Sequence, residues 1–408
     1  MALVRFRWVY CQLDNLRRCM PSSIRKALNG LPVTLDDTYE RILQAIPKQK
    51  VHHAHRLFQC MVAAIRPLRV EELAEIFAIE FGPNVETNLV EGWRPANSDE
   101  AVLSTCSTLI SIIDNEGSKI VQFSHFSVKE FLTSERLQLS HVGNICQYYI
   151  PLEPAHTILA RACLTVLLQF DEKVNKGRLA TFPLAFYAAQ HWFDHAKFEA
   201  VEVQIQDSME RLFNPKEPYF RAWIWIHDMD QGREKSMQDL VEYPPSPRNT
   251  PLFYAASCGF SGLAKHLIIM HAEDVNADCN FGWGPLHAAS VHGMFDAARM
   301  LLDHGADVNK RDLINWEPIH FASYDGYLKI VQLLLERGAT LNAPSNAEYT
   351  PLCLASEAGH LEVVRLLLDH GASVNVRGYK ERTAFQVATK YGHHNVAQLL
   401  VERGAEGA

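Results

Sequence analysis

No run of about 18 apolar residues occurs, so no membrane-spanning helix is expected. The opening "MALVRFRWVYCQLDNLRRCM" turns polar at Gln12 and Asp14, too soon for a signal peptide. Nine cysteines form no C-x-x-C pair, which speaks against a zinc knuckle or a disulfide framework. Asn-x-Ser/Thr is absent, and with the scattered thiols this points to a soluble, cytoplasmic protein. Neither G-x-x-x-x-G-K-[ST] nor G-x-S-x-G occurs, so neither a phosphate-cradling loop nor a nucleophile elbow is expected. Positive charge is in deficit, 39 Lys and Arg against 47 Asp and Glu, which makes nucleic acid a poor default partner.

What remains is an ordinary globular composition, 48% apolar and 21% charged, over 408 residues. At about 100–200 residues per domain, several domains fit. Charge is uneven: residues 1–56 carry 10 basic and 4 acidic groups, residues 57–245 carry 16 and 26.

From residue 250 a phrase recurs: "TPLFYAA", "GPLHAAS", "EPIHFAS", "TPLCLAS" and "TAFQVAT", at steps of 34, 33, 33 and 33 residues. A glycine follows nine residues after each start (Gly259, Gly293, Gly326, Gly359, Gly392), then a leucine-rich second helix. This pattern resembles the ankyrin repeat, in about 246–279, 280–312, 313–345, 346–378 and 379–408. Thr at the helix start can cap free amides, and Pro in the first turn lacks a donor the helix could not use. Gly284 and Glu317 replace that Thr, which predicts two weakened caps. Leu252, Leu286, Ile319, Leu352 and Phe385 are expected at the seams between repeats. Asn276, Asn309, Asn342 and Asn375 are expected to bond neighbouring loop backbones. His271 stands where a helix-ending glycine belongs, with one residue inserted after it, so the first repeat is atypical.

Residues not needed for stacking are the candidates for binding a protein: Trp283, Arg311, Trp316, Tyr349, Tyr379, Lys380 and Arg382 at the hairpin tips. Trp283, Trp316 and Tyr349 share one repeat position. They are either rings packed on the adjacent hairpin or a row of anchors for a partner. His287 and His320, at the motif histidine position, are expected to make structural hydrogen bonds.

Upstream, helical patterns at 51–65, 69–81 and 98–110, a hairpin signal from "LISIID" and "KIVQFSHF", and a helix at 127–137 give winged-helix order. The third helix, with a Ser98-Asp99 start, offers Asp99 and Glu100 but no Lys or Arg. The second carries Glu71, Glu72, Glu75 and Glu80, so DNA reading is not expected. "HHAH" at 52–55 has no Cys or carboxylate to complete a zinc set.

The strings "LPVTLDDTYERIL", "RPLRVEELAEIFAIEF" and "FSHFSVKEFLTSERL" resemble fungal NACHT/STAND-type signalling NTPases. That resemblance implies a P-loop domain, a helical lid, this winged helix and ankyrin repeats. The segment also resembles the winged helix of GPI inositol-deacylases, which implies no deacylase chemistry without a nucleophile elbow. The resemblance implies that a histidine matching His125 contacts the β-phosphate of bound ADP; for this chain a half-buried, hydrogen-bonded structural histidine is the better expectation. The missing P-loop suggests a truncated or shortened relative of that family, with "GFSGLAK" at 259–265 only a decoy.

The expected architecture is mostly α. Residues 1–50 read as a lid remnant, 51–140 as a winged helix, 141–245 as a helical bridge ending in the Pro-rich "EYPPSPRNTP", and 246–408 as a repeat solenoid. "YFRAWIWI" within the bridge is expected to bury against the first repeats. The expected function is a non-enzymatic regulatory or scaffold role through a protein partner, with no cofactor, metal, nucleic acid or membrane, and no small-molecule ligand. The alternative is a nucleotide-dependent switch in which His125 completes a site whose P-loop comes from a missing domain or another chain.

Overall fold

The computed structural model describes residues 34–406 except 83–86, 116, 141–143, 229–236 and 379–380. Residues 1–33 of the expected lid remnant, and Tyr379 and Lys380, therefore lie outside the described residues.

Helix α1 (Leu35–Gln44) starts at a reciprocal cap, Asp37 N donating to Thr34 Oγ1 (3.1 Å) and Thr34 N to Asp37 Oδ2 (3.2 Å). It buries Tyr39, whose ring lies 5.5 Å from that of Phe131. Helix α2 (Val51–Ala63) ends ahead of Pro67 and buries Leu57, Phe58, Cys60 and Val62.

The next helix is shorter than expected. α3 runs over Val70–Phe77, and Ile79–Phe81 becomes strand β1, antiparallel to β2 (Thr87–Leu89). Strand periodicity puts Ile79 in the core and Glu80 in solvent, so alternation overrides the helical pattern there. α4 (Ser98–Cys106) is capped by Asn97, one residue before the expected Ser98, through Glu100 N–H at 3.2 Å. The expected hairpin is present as β3 (Ile110–Asn115) and β4 (Ser118–Phe123), with Ile112 opposite Val121. A bridge from Arg69 to Ile120 adds a third short strand position, as a wing requires. The helix expected at 127–137 is broken in two, α5 (Phe126–Leu132) and α6 (Glu135–Gln138), because Ser134 starts a new cap.

Two of the four carboxylates on the predicted second helix face inward. Glu72 is fully buried and takes both terminal nitrogens of Arg66 (2.7 and 2.8 Å) and Nε of Arg69 (3.0 Å). Burial pushes its carboxyl up, but these bonds outweigh it and hold the pKa below the ordinary value. Glu75, also buried, pairs with Arg94 (2.5 Å) and accepts from Leu184 N (2.7 Å). Only Glu71 and Glu80 of that set present charge to solvent.

Helices α7 (Leu152–Leu167), α8 (Lys176–Leu179), α9 (Ala185–Ala196), α10 (Glu199–Phe213) and α11 (Tyr219–Ile226) follow. α7 and α9 pack closely through alanines and Cys163. The chain divides into two units: the first runs to Leu212 and includes Arg221–Pro245, and the second combines Phe213–Phe220 with the residues from Ser246 on. "YFRAWIWI" is split between them. Phe220 packs on Tyr254 (5.7 Å between rings) in the second unit, whereas Trp223 belongs to the first, 5.5 Å from Trp192 and donating to Ala189 O (2.9 Å). Within the second unit, packing on the first repeat is seen at Phe220, the start of that segment.

Among the described residues the second unit holds five helix pairs in register: Pro251–Cys258 with Ser261–His271, Pro285–Val291 with Phe295–Asp303, Pro318–Tyr324 with Leu328–Glu336, Pro351–Ala358 with Leu361–Asp369, and Ala384–Lys390 with His394–Glu402. First helices pack on first helices and second on second, burying Leu252, Leu286, Ile319 and Leu352 at the seams. Phe385 is half-buried, since among the described residues no repeat follows it. Gly326 (φ +78°) is doubly constrained, because a Cβ there would meet the His360 ring at 2.5 Å. Gly305 (φ +90°) faces open space and is needed for its backbone conformation alone. In the first repeat Ala272 (φ +52°), the residue after His271, takes the left-handed position that glycine fills elsewhere.

Candidate protein-binding surface

The repeat motif sets the hairpins before it sets any surface. Where Thr starts the first helix, its hydroxyl accepts from the amide three residues on: Phe253 N to Thr250 (3.2 Å), Cys353 N to Thr350 (3.3 Å) and Gln386 N to Thr383 (3.4 Å). The two repeats without Thr cap differently. Gly284 N donates to His287 Nδ1 (3.0 Å) and Glu317 N to His320 Nδ1 (2.9 Å). An amide only donates, so each ring carries its proton on Nε2 and gives it to the next hairpin, at Trp316 O (3.2 Å) and Ala343 O (2.9 Å). The expected structural role of both histidines is thereby specified as a cap and a tie between repeats. Burial pushes His287 down to about 4, although the Trp316 carbonyl opposes the shift.

Asparagines tie the loops as expected. Asn276 accepts from Asp307 N (2.8 Å) and donates to Gly305 O (3.1 Å), and Asn309 and Asn375 make the same pair of bonds one repeat on. The loop backbone is thus fixed on both sides, and the tips are held rigidly.

At the tips, one hairpin bond recurs: Cys279 N to Trp283 O, Asp312 N to Trp316 O, Ser345 N to Tyr349 O and Gly378 N to Arg382 O, at 2.8–3.0 Å. Trp283, Trp316, Tyr349 and Arg382 therefore occupy one structural position, each half-buried. The buried Asp312 carboxylate organises two of these hairpins, accepting from Trp283 Nε1 (3.2 Å), Ile314 N (2.9 Å) and Trp316 N (2.7 Å). Phe321 sits 4.9 Å from the Trp283 ring and 4.8 Å from that of Trp316, and Tyr324 continues the line at 6.4 Å from Trp316. The rings pack on one another across repeats, as the packing reading expects, and leave a half-exposed aromatic strip. Arg311 is exposed and gives Nε to buried Glu317 (3.0 Å). Glu317, which stands at the motif threonine position, is half of an ion pair, with its carboxyl pushed up by burial.

Three tip residues went unnoticed in the sequence. Phe281, Leu313 and Ile314 are 64%, 73% and 53% exposed. They adjoin one another, because Leu313 N donates to Phe281 O (3.0 Å) and Asn346 N to Ile314 O (3.0 Å). Large apolar residues where turns usually carry polar ones were the available signal.

In the first unit, His125 sits at the start of α5, half-buried, accepting at Nδ1 from Ser127 N (3.3 Å), with Ser127 Oγ bonded to Tyr39 OH (2.8 Å). Its Nδ1 lone pair is thus spent on a helix cap. Among the described residues no group of three or more His, Cys, Asp or Glu could hold a metal, and no helix is long and apolar enough to cross a membrane.

Family models for ankyrin repeats match residues 286–335 and 319–407, and a model of the GPI inositol-deacylase winged helix domain matches residues 39–142. The chain carries ankyrin repeats and a winged-helix domain. The first helix pair of the second unit, with its altered helix end, lies upstream of both repeat matches. A relative from Monascus ruber, "Azaphilone pigments biosynthesis cluster protein L", is 32% identical over 290 residues, 67% of this chain and 59% of the relative. The match thus spans less than two thirds of that relative's length. Ankyrin repeats support a protein-interaction role, and stacking leaves the hairpin tips among the exposed parts of the array.

Proposed function

We propose that this chain is a non-enzymatic regulatory or scaffold protein whose ankyrin array binds a protein partner, and whose winged-helix body derives from a NACHT/STAND-type signalling NTPase. The reading that divides it into a lid remnant, a winged helix, a helical bridge and five repeats goes with this proposal. The observation that carries it is the apolar tip formed by Phe281, Leu313 and Ile314 beside the Trp283–Phe321–Trp316 strip. Rigid, adjoining apolar and aromatic side chains lose little conformational entropy on binding and supply the anchors from which interfaces draw most of their energy. Arg311 stands at the hairpin of Leu313 and Ile314 as a polar neighbour, and Arg382 holds the position of Trp316 on the last hairpin.

The test is affinity capture on the full chain, comparing wild type with a Phe281→Ser, Leu313→Ser, Ile314→Ser triple variant. A partner retained by wild type and lost by the variant, with an unchanged melting temperature, is expected. The same proteins captured by both would refute the assignment of the tips.

A further inference from the structure

The first unit holds an open cavity of about 690 Å3 between the wing hairpin and the segment 179–190. Its walls include Ile120 of β4 with Phe182 and Phe186, and its polar lining includes Arg66, Arg69 and Gln190. Arg66 is committed to Glu72 through both terminal nitrogens. Arg69 gives only its backbone N and Nε to that carboxylate, and its side chain is 40% exposed. The two terminal nitrogens of Arg69 and the side-chain amide of Gln190 have no protein hydrogen bond among the described residues. Arg66 and Arg69 share the one Glu72 carboxylate, so that trio together carries a single positive charge.

We propose that this cavity binds a small amphipathic carboxylic acid. The Arg69 fork takes the carboxylate, the Gln190 amide donates to it, and Phe182 and Phe186 cover an aromatic or hydrocarbon body. A planar fork matches a carboxylate in two parallel hydrogen bonds. One net charge suits a monoanion, whereas a phosphate dianion would bring unmatched charge against an apolar wall. The volume falls within the roughly 300–1,000 Å3 of small-molecule sites. This goes against the sequence-based expectation of no small-molecule ligand. Its lining comes from four separate stretches of chain, which no local motif could signal.

The test is calorimetric titration of the full chain with 2-naphthylacetate, and with 2-naphthylacetamide as its neutral counterpart. The acid is expected to bind with a micromolar to millimolar Kd and the amide at least about tenfold more weakly. Gln190→Glu adds a like charge without touching the Arg69–Glu72 contacts, and is expected to weaken the acid about tenfold at an unchanged melting temperature. Arg69→Gln is expected to remove the preference for acid over amide. Equal binding of acid and amide, no binding at millimolar concentration, or wild-type affinity in Gln190→Glu would overturn the proposal. So would an acetyl-Leu-Phe peptide with a free carboxylate binding about tenfold more tightly than naphthylacetate, which would assign the cavity to a chain terminus.

Discussion

Replacing His287 with Gln tests whether a neutral buried imidazole is both the cap and the acid-sensitive tie of the second repeat. The native ring is fully buried and its pKa is pushed down to about 4, while an unfolded histidine titrates near 6.5. Below pH 6.5 the unfolded chain takes up a proton that the folded ring refuses, so stability present above that pH is lost as pH falls towards 4. At pH 5 the loss is about 2 kcal/mol, from roughly 1.5 pH units at 1.36 kcal/mol each. Glutamine is the right replacement because the fifth repeat already uses it there: Thr383 N donates to Gln386 Oε1 at 3.2 Å. His287→Gln should therefore cost no more than about 1 kcal/mol at pH 7.5, one imperfect hydrogen bond. At pH 5 it should match or exceed wild type, having no proton to refuse. His287→Ala, which strands the Gly284 amide, should cost about 2–4 kcal/mol at pH 7.5 from the unpaired amide and the void. Repeat arrays open locally, so the assay is native-state hydrogen exchange on peptides spanning 280–320, read as protection free energies at both pH values. If the difference between wild type and His287→Gln stays constant from pH 7.5 to 5, the neutral-cap reasoning is wrong.

Three further outcomes are expected. Glu72→Gln leaves Arg66 and Arg69 without their shared charge and should lower the first unit's stability by about 3 kcal/mol in urea denaturation; a change within about 0.5 kcal/mol would show that the network contributes nothing. Gly326→Ala should cost clearly more than Gly305→Ala, because only the former drives a Cβ into the His360 ring, while both carry about 1 kcal/mol of backbone strain; equal melting shifts would contradict this. His195, fully buried against Tyr187 OH (3.0 Å) and His156 Nδ1 (2.8 Å), is pushed down to about 3 chiefly by burial and then by His156. The first unit should therefore lose stability as pH falls below about 6.5, and His195→Gln should flatten that slope in calorimetric scans from pH 7.5 to 5.

The repeat register, the paired helices and the wing hairpin were legible because each is specified locally: a glycine at the turn, Pro after a cap, an alternating run either side of "NEGS". The second predicted helix was read too long because Ile79 and Phe81 fit a helical face as well as a strand face, and only the partner strand Thr87–Leu89 decides between them. In the sequence Glu72 and Glu75 count only as acidic groups that argue against DNA. Their burial depends on Arg66 and Arg94, and the Arg94–Glu75 bond joins residues 19 apart in sequence. At the candidate surface, the shared position of Trp283, Trp316 and Tyr349 could be read from the 33-residue spacing. For Phe281, Leu313 and Ile314 the sequence offers only the weaker signal of apolar residues at turns, since hydrophobicity alone gives no direction to a side chain there.

By itself the sequence determined the repeat array, its caps and its loop asparagines, since these follow from short-range steric and hydrogen-bonding demands that recur at a fixed period. Tertiary structure alone decided which carboxylates are buried, that His287 and His320 replace the missing threonines, and that three apolar tip residues and an arginine-lined cavity are open to solvent. Those outcomes depend on which distant segment comes to lie against each residue, and burial is a property of that neighbour as much as of the residue.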